Sequence, residues 1–274
     1  MVFRNSYFFP IFADMKRERP LILISNDDGY KAKGINFLAQ IAREFGDVVI
    51  VAPDGTRSGY AMSVTFWQPL TARQQRFEEG NEELGSLTVV SCSGTPVDCV
   101  KLGLHSFCTR KPSLVLGGIN HGDNSSVNAH YSGTVGIMME GCMKDIPSVA
   151  FSLCNHEDDA DFEPMRPYIN KVMEMVLKEG LPKGVCLNVN APDTPDLKGL
   201  KICSMANGSW GKELVERMNP RGFKYYWMVG QYTCLDERDT SDQRCIEKGY
   251  VTVTPLKIDM TAYEYADWLE TRLT

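Results

Sequence analysis

The sequence has no Cys-x-x-Cys pair, although it carries nine cysteines, scattered at Cys92, Cys99, Cys108, Cys142, Cys154, Cys186, Cys203, Cys234 and Cys245. Zinc ribbons and disulfide frameworks need closely spaced or matched thiols, so both are disfavoured, and reduced thiols of a cytoplasmic protein fit better. No apolar run is long enough to cross a bilayer, which argues for a water-soluble chain. Positive charge is scarce too: 29 Lys and Arg against 35 Asp and Glu leave a net charge of -6. That balance works against attraction to nucleic-acid polymers or anionic membranes. An anionic substrate would therefore need local help from a metal or from backbone N–H groups. Three familiar signatures are also missing, namely Gly-x-x-x-x-Gly-Lys-Ser/Thr, Gly-x-Gly-x-x-Gly after a strand, and Gly-x-Ser-x-Gly. Nucleotide-triphosphate switches, dinucleotide oxidoreductases and serine hydrolases are disfavoured accordingly.

What is present is an ordinary globular balance, 43% hydrophobic and 23% charged over 274 residues, enough for one large domain or a domain with an appendage. Residues 1–20 hold a short apolar stretch, Tyr7 to Ala13, broken by Pro10 and followed by Lys16-Arg17-Glu18-Arg19. Without a small-x-small cleavage site this is a poor signal peptide, and it is expected to be an N-terminal extension, with Met15 as an alternative start. Structure is expected from Leu21. Leu21 to Ser25 is a continuous β-prone run, as in a strand covered on both faces. Ile35, Leu38, Ile41, Ala42 and Phe45 then recur at helical spacing until Gly46, and Val48 to Ala52 reads as a second buried strand.

The alternation continues. Strands are expected near Leu87 to Ser91, Ser113 to Leu116, Val149 to Leu153 and Val185 to Val189. The intervening helices are one opened by Thr95-Pro96, one over Ser132 to Lys144 and one over Met165 to Lys178,. The fold class is therefore α/β, a doubly wound and mostly parallel Rossmann-like sheet spanning residues 21–204. From about Met205 the texture changes to aromatics interspersed with Gly and Pro, then a β-type run over Gly249 to Leu256 and a final amphipathic helix. Residues 205–274 are expected to form a hairpin arm and C-terminal segment used in oligomerisation.

In an open parallel sheet, ligands bind where strands end at a topological switch point. Asn26-Asp27-Asp28-Gly29 follows the first strand. Two adjacent carboxylates there repel unless they share a cation, and hard oxygen ligands favour Mg²⁺, Mn²⁺ or Ca²⁺. Equally open is a reading in which one aspartate makes a turn and the other caps the following helix. Ser58 and Asn120 follow separate strands and could complete an oxygen-only shell, though each alone is an ordinary loop residue. Ser132-Gly133-Thr134 opens a helix whose free N–H groups could cradle phosphate, or Ser132 could be a simple N-cap. His121, His130 and Arg57 lie nearby, but solvated or structural roles suit them better.

The ordered set Asn26-Asp27-Asp28-Gly29, Arg57-Ser58-Gly59, Gly94-Thr95-Pro96 with Asp98-Cys99, Gly118-Ile119-Asn120 with Gly122 and Asn124, and Tyr131-Ser132-Gly133-Thr134 resembles the SurE survival-protein family of 5′-nucleotidases. The likeness continues through Asn188-Val189-Asn190, Pro220-Arg221-Gly222 with Tyr226-Trp227, and Gly249-Tyr250 with Thr254-Pro255-Leu256. It implies a metal-dependent phosphomonoesterase hydrolysing nucleoside 5′-monophosphates, with 3′-monophosphates as further substrates. Two alternatives stand beside it, a broader small-molecule phosphatase or exopolyphosphatase and a non-catalytic nucleotide-binding module. The resemblance further implies one Mg²⁺ or Mn²⁺ per subunit, held by Asp27, Asp28, Ser58 and Asn120, with Asp27 and Asp28 catalytic. Asn124, Ser132, Gly133 and Thr134 would bind phosphate, and the protein would be a cytoplasmic homodimer or homotetramer. The chain departs from the family pattern in its first fourteen residues, its cysteine count and the loop His121 to Ser126. Such loop variation bears on specificity rather than chemistry.

Overall fold

The computed structural model describes residues 19–76 and 84–273, so most of the expected N-terminal extension lies outside the described residues. The apolar run opens the fold as β1 (Leu21–Ser25), buried throughout. It leads to α1 (Lys33–Phe45), which buries Ile35, Leu38, Ile41 and Ala42, and then to β2 (Asp47–Pro53). A short strand β3 (Ala72–Gln75) runs antiparallel to β4 (Leu87–Cys92). α2 (Pro96–Leu102) continues into a π-helical turn at Gly103–Phe107. β5 (Leu114–His121), α3 (Gly133–Met143), β6 (Ser148–Leu153), α4 (Arg166–Glu179) and β7 (Val185–Ala191) complete the alternation.

Among the described residues, nine strands form one sheet in the order β3-β4-β2-β1-β5-β6-β7-β13-β8, where β8 is Leu200–Ile202 and β13 is Val251–Lys257. The six from β4 to β7 are parallel. The chain builds outward from β1 to β4, then returns to lay β5 against the other side of β1. The switch point therefore lies between the carboxyl ends of β1 and β5, where such sheets open a crevice.

Helices cover both faces, which is why β1 has no polar alternation. Ile22 and Ile24 pack with Leu38, Leu116, Phe151 and Ile169 on the side of α1 and α4. Leu21 and Leu23 pack with Val51, Val100, Val115 and Ile137 on the side of α2 and α3. Each such side chain contributes about 1.5–3 kcal/mol relative to its exposed state, so a polar residue in β1 would cost on either face.

Beyond Ile202 the chain forms β9 (Gly208–Gly211), β10 (Leu214–Met218), β11 (Lys224–Met228) and β12 (Gln231–Cys234), then α5 (Asp242–Glu247), β13 and α6 (Tyr263–Leu273). β9 pairs with β12 and β10 with β11, making one long hairpin with an inner and an outer half. β13 returns to the main sheet, antiparallel to β7. Among the described residues, no helix is long and apolar enough to cross a membrane.

Candidate active site

The cleft at the switch point has a volume of about 480 Å³ and is lined by residues far apart in sequence, including Asp27, Ser58, Asn120, Asn124 and Ser132. Asp28 lines an adjoining hollow that shares Ser58, His121 and His156 with it. The structure thus gathers the four expected metal ligands at one place, divided between two connected depressions. Gly133 and Thr134 do not line the cleft; they stand behind Asp27.

The turn after β1 is shaped by Asn26. Its Nδ2 donates to the Gly29 carbonyl at 2.9 Å and its Oδ1 accepts from the Gly29 amide at 3.2 Å. That local closure projects Asp27 and Asp28 beyond the strand end. Asp27 is 3% exposed and its Oδ1 accepts from the Thr134 hydroxyl at 2.7 Å. Burial raises its pKa, opposed by the Thr134 hydroxyl and by the amides of Asp27, Thr134 and Gly133. Burial and then the neighbouring Asp27 charge push Asp28 up to about 6, with His121 and His156 partly offsetting them. Two carboxylates held against repulsion and desolvation are the arrangement that a shared cation relieves.

The neutral ligands are positioned by backbone contacts. The Arg57 amide donates to the Asp27 carbonyl at 2.6 Å, bringing the Ser58 loop beside β1. The Arg57 guanidinium turns instead to Asp54, at 3.0 Å. Asn120 stands just past a register shift in β5 that begins at Gly117, and bulges of this kind re-aim side chains at sheet ends. Gly118 makes the shift possible: its φ is +108°, and a Cβ there would lie 2.2 Å from the Phe151 carbonyl oxygen,. The Asn120 amide nitrogen donates to the carbonyls of Gly122 at 2.8 Å and His121 at 3.3 Å, so those bonds leave its oxygen for a cation. Among the described residues no cluster of three or more His, Cys, Asp or Glu is arranged for a metal. The donor set at this site is two carboxylates, a hydroxyl and an amide oxygen, which suits a hard cation that keeps bound water.

On the phosphate side, Ser132 caps α3 by accepting from the Val135 amide at 3.1 Å. A Cβ on Gly133 would stand 2.9 Å from the Asp27 Cβ, so the missing side chain lets the helix start press against the aspartate. Asn124 is tied into the scaffold from three directions. Its backbone N donates to Asn190 Oδ1, its Nδ2 donates to Ser152 Oγ, and Asn188 Nδ2 donates to its carbonyl, each at 2.8 Å.

The cleft also contains residues that carried no signal in the sequence: His156 after β6, Trp210 on β9, Tyr232 on β12 and Gln243 on α5. Trp210 and Tyr232 sit in the segment expected to serve oligomerisation, but the inner half of the hairpin places them on the cleft.

Residues 22–212 match the family described as "Survival protein SurE". A protein of Phocaeicola vulgatus named 5′-nucleotidase SurE is 52% identical over 250 residues, covering 91% of this chain and 95% of its own length. A protein of the same name in Bacteroides thetaiotaomicron is 50% identical over 256 residues, covering 93% and 96%. The crystal structure of the SurE protein from Aquifex aeolicus superposes with a TM-score of 0.77 at 35% identity, covering 93% of this chain and 100% of that one.

Proposed function

The chain belongs to the SurE family, and from that membership we propose that its switch-point cleft hydrolyses nucleoside 5′-monophosphates to nucleoside and phosphate in a metal-dependent reaction. The observation that carries this reading is the meeting of Asp27, Ser58 and Asn120 in one cleft beside the start of α3, with Asp28 next to them. Asp27, Asp28, Ser58 and Asn120 would hold one Mg²⁺ or Mn²⁺ per subunit. When bound, the cation neutralises phosphate charge and stabilises the charge that develops during transfer. Ser132 and Asn124, which line the cleft, hold phosphate oxygens,, while the first amides of α3 serve Asp27 and the Ser132 cap instead. The carboxylates of Asp27 and Asp28 orient the attacking water and take its proton. We further place the enzyme in the cytoplasm as a homodimer or homotetramer.

The test is phosphate release from nucleoside 5′- and 3′-monophosphates and from polyphosphate, with Mn²⁺, Mg²⁺ or EDTA, for the wild type and Asp27→Asn. Turnover of 5′-monophosphates that is abolished by EDTA and by the substitution is expected. Turnover indifferent to both overturns the site assignment, and a preference for polyphosphate overturns the substrate assignment.

A further inference from the structure

We infer that Trp210, at the root of the hairpin, is the platform on which the nucleotide base stacks, and that Asp123 beside it accepts hydrogen bonds from the ribose hydroxyls. The inference rests on the nucleotidase reading and extends it from the phosphate to the nucleoside. Asp27, Ser58, Asn120 and Ser132 account for the phosphate end of the cleft, yet its lining continues to Asp123, Asn128, Trp210, Tyr232 and Gln243. A base needs a flat apolar surface, and a ribose needs acceptors for its diol. This second group supplies both.

The indole is fixed on several sides. Trp210 faces Tyr232 directly across the β9–β12 pair, with ring centroids 5.8 Å apart and planes at 64°. Its Nε1–H donates to Asn128 Oδ1 at 2.9 Å. Gly230 backs it, since a Cβ there would lie 2.8 Å from Trp210 Cε3. The ring nevertheless remains 38% exposed while lining the cleft. A large aromatic held rigid but left partly open loses little freedom on stacking, which suits it to bind a base.

A carboxylate in a cleft for anions needs a reason. Asp123 Oδ2 accepts from Ser125 Oγ at 2.5 Å, from Gln243 Nε2 at 2.9 Å and from Asn128 Nδ2 at 3.4 Å. These bonds converge on one oxygen, Oδ2, and so fix the carboxylate where it lines the cleft. An oriented carboxylate is the usual partner of ribose hydroxyls in nucleotide sites. Asn128 joins the two halves of the subsite, because it holds the indole through its oxygen and Asp123 through its nitrogen.

The experiment compares adenosine 5′-monophosphate with ribose 5-phosphate, which has the same phosphate and sugar but no base, for the wild type, Trp210→Ala and Trp210→Phe. For Trp210→Ala, kcat/KM on the nucleotide should fall about tenfold to a hundredfold, mainly through KM, as expected for one lost base stack. The ratio of the two specificity constants should fall with it, and Trp210→Phe should restore most of that ratio. Equal losses on both substrates would mean a structural role and overturn the inference. Equilibrium dialysis of adenosine in EDTA reads the platform without turnover. Weaker binding to Trp210→Ala than to the wild type supports the platform even if neither substrate is hydrolysed, in which case only the nucleotidase reading fails. Unchanged adenosine binding overturns the platform.

Discussion

At the scale of single residues, the site sets two demands against each other. Asp27 is a buried carboxylate beside Asp28, and in the absence of a cation their repulsion and desolvation weaken the fold. Asp27→Asn keeps the shape and an oxygen for the Thr134 hydroxyl, now at 2.7 Å from Oδ1, but removes the charge. The metal-free variant should be as stable as the wild type or up to about 2 kcal/mol more stable. Its turnover should fall by about a hundredfold or more. Urea denaturation in EDTA, set beside phosphate release with Mn²⁺, measures both quantities. A metal-free variant that is clearly less stable would mean that the aspartate supports the fold rather than the chemistry. Thr134→Val acts from the other side, because it deprives a buried carboxylate of a donor. It should cost about 1–3 kcal/mol, with Thr134→Ser close to wild type in the same denaturation assay. These residues were legible in the sequence because each sits at the end of a strongly patterned strand or helix. Trp210, Tyr232 and His156 were not. An aromatic residue on a Gly-rich hairpin looks the same whether it faces a cleft or a partner subunit, and only the tertiary path of β9 and β12 decides which.

At the scale of elements, α2 shows how a helix cap reaches the site. Thr95 Oγ1 accepts from the Asp98 amide at 3.1 Å while Asp98 Oδ2 accepts from the Thr95 amide at 2.9 Å, forming a capping box,. The same two side chains hold the loop that follows Ser58: Asp98 Oδ1 accepts from the Thr65 amide at 3.1 Å, and Thr95 Oγ1 donates to the Ser63 carbonyl at 2.7 Å. Asp98→Ala should therefore lower stability by about 1–2 kcal/mol and also loosen the Ser58 loop, raising the Mn²⁺ concentration that gives half-maximal activity. Loss of stability with an unchanged Mn²⁺ requirement would confine Asp98 to capping. Burial raises the Asp98 pKa, but the donors from Thr65 and Thr95 outweigh it and leave a net lowering. Its contribution is thus complete above the ordinary carboxylate range and is lost as pH falls through its lowered value. The parallel strands were readable as continuous apolar runs, α1 and α4 by apolar residues at helical spacing, and α3, which is buried nearly all round, by the Ser132-Gly133-Thr134 turn that opens it. β3, whose sequence is Ala-Arg-Gln-Gln, and the three-residue β8 carry no such pattern. They exist because an edge strand is completed by pairing to its neighbour.

At the scale of the whole molecule, two segments are poorly explained by one chain alone. The outer half of the hairpin exposes Phe223 at 67%, Trp227 at 62% and Met228 at 74%. α6 buries none of its residues, and Tyr265 and Trp268 stack on each other at 5.1 Å with Arg272 over the Trp268 ring. Helices shorter than about 12–15 residues are marginal in water without tertiary packing, and exposed apolar clusters of this kind mark interaction surfaces. A second copy of the chain would cover both segments, in keeping with the proposed oligomer. Trp227→Glu and Trp268→Glu should each lower the mass seen by sedimentation velocity. If assembly and folding are linked, the wild-type melting temperature should rise with protein concentration, and that dependence should weaken in both variants. A wild type that sediments as a monomer, with a melting temperature independent of concentration, would remove the second copy as the occupant. The inner half of the hairpin gives a further discriminating readout, because Trp210 is braced by Asn128 and Gly230, and Tyr232 by Trp210 and Gly208, all of the same chain. Adenosine binding should therefore survive in the Trp227→Glu variant, and its loss there would mean that the partner subunit, rather than the chain's own contacts, holds β9 and β12 against the cleft.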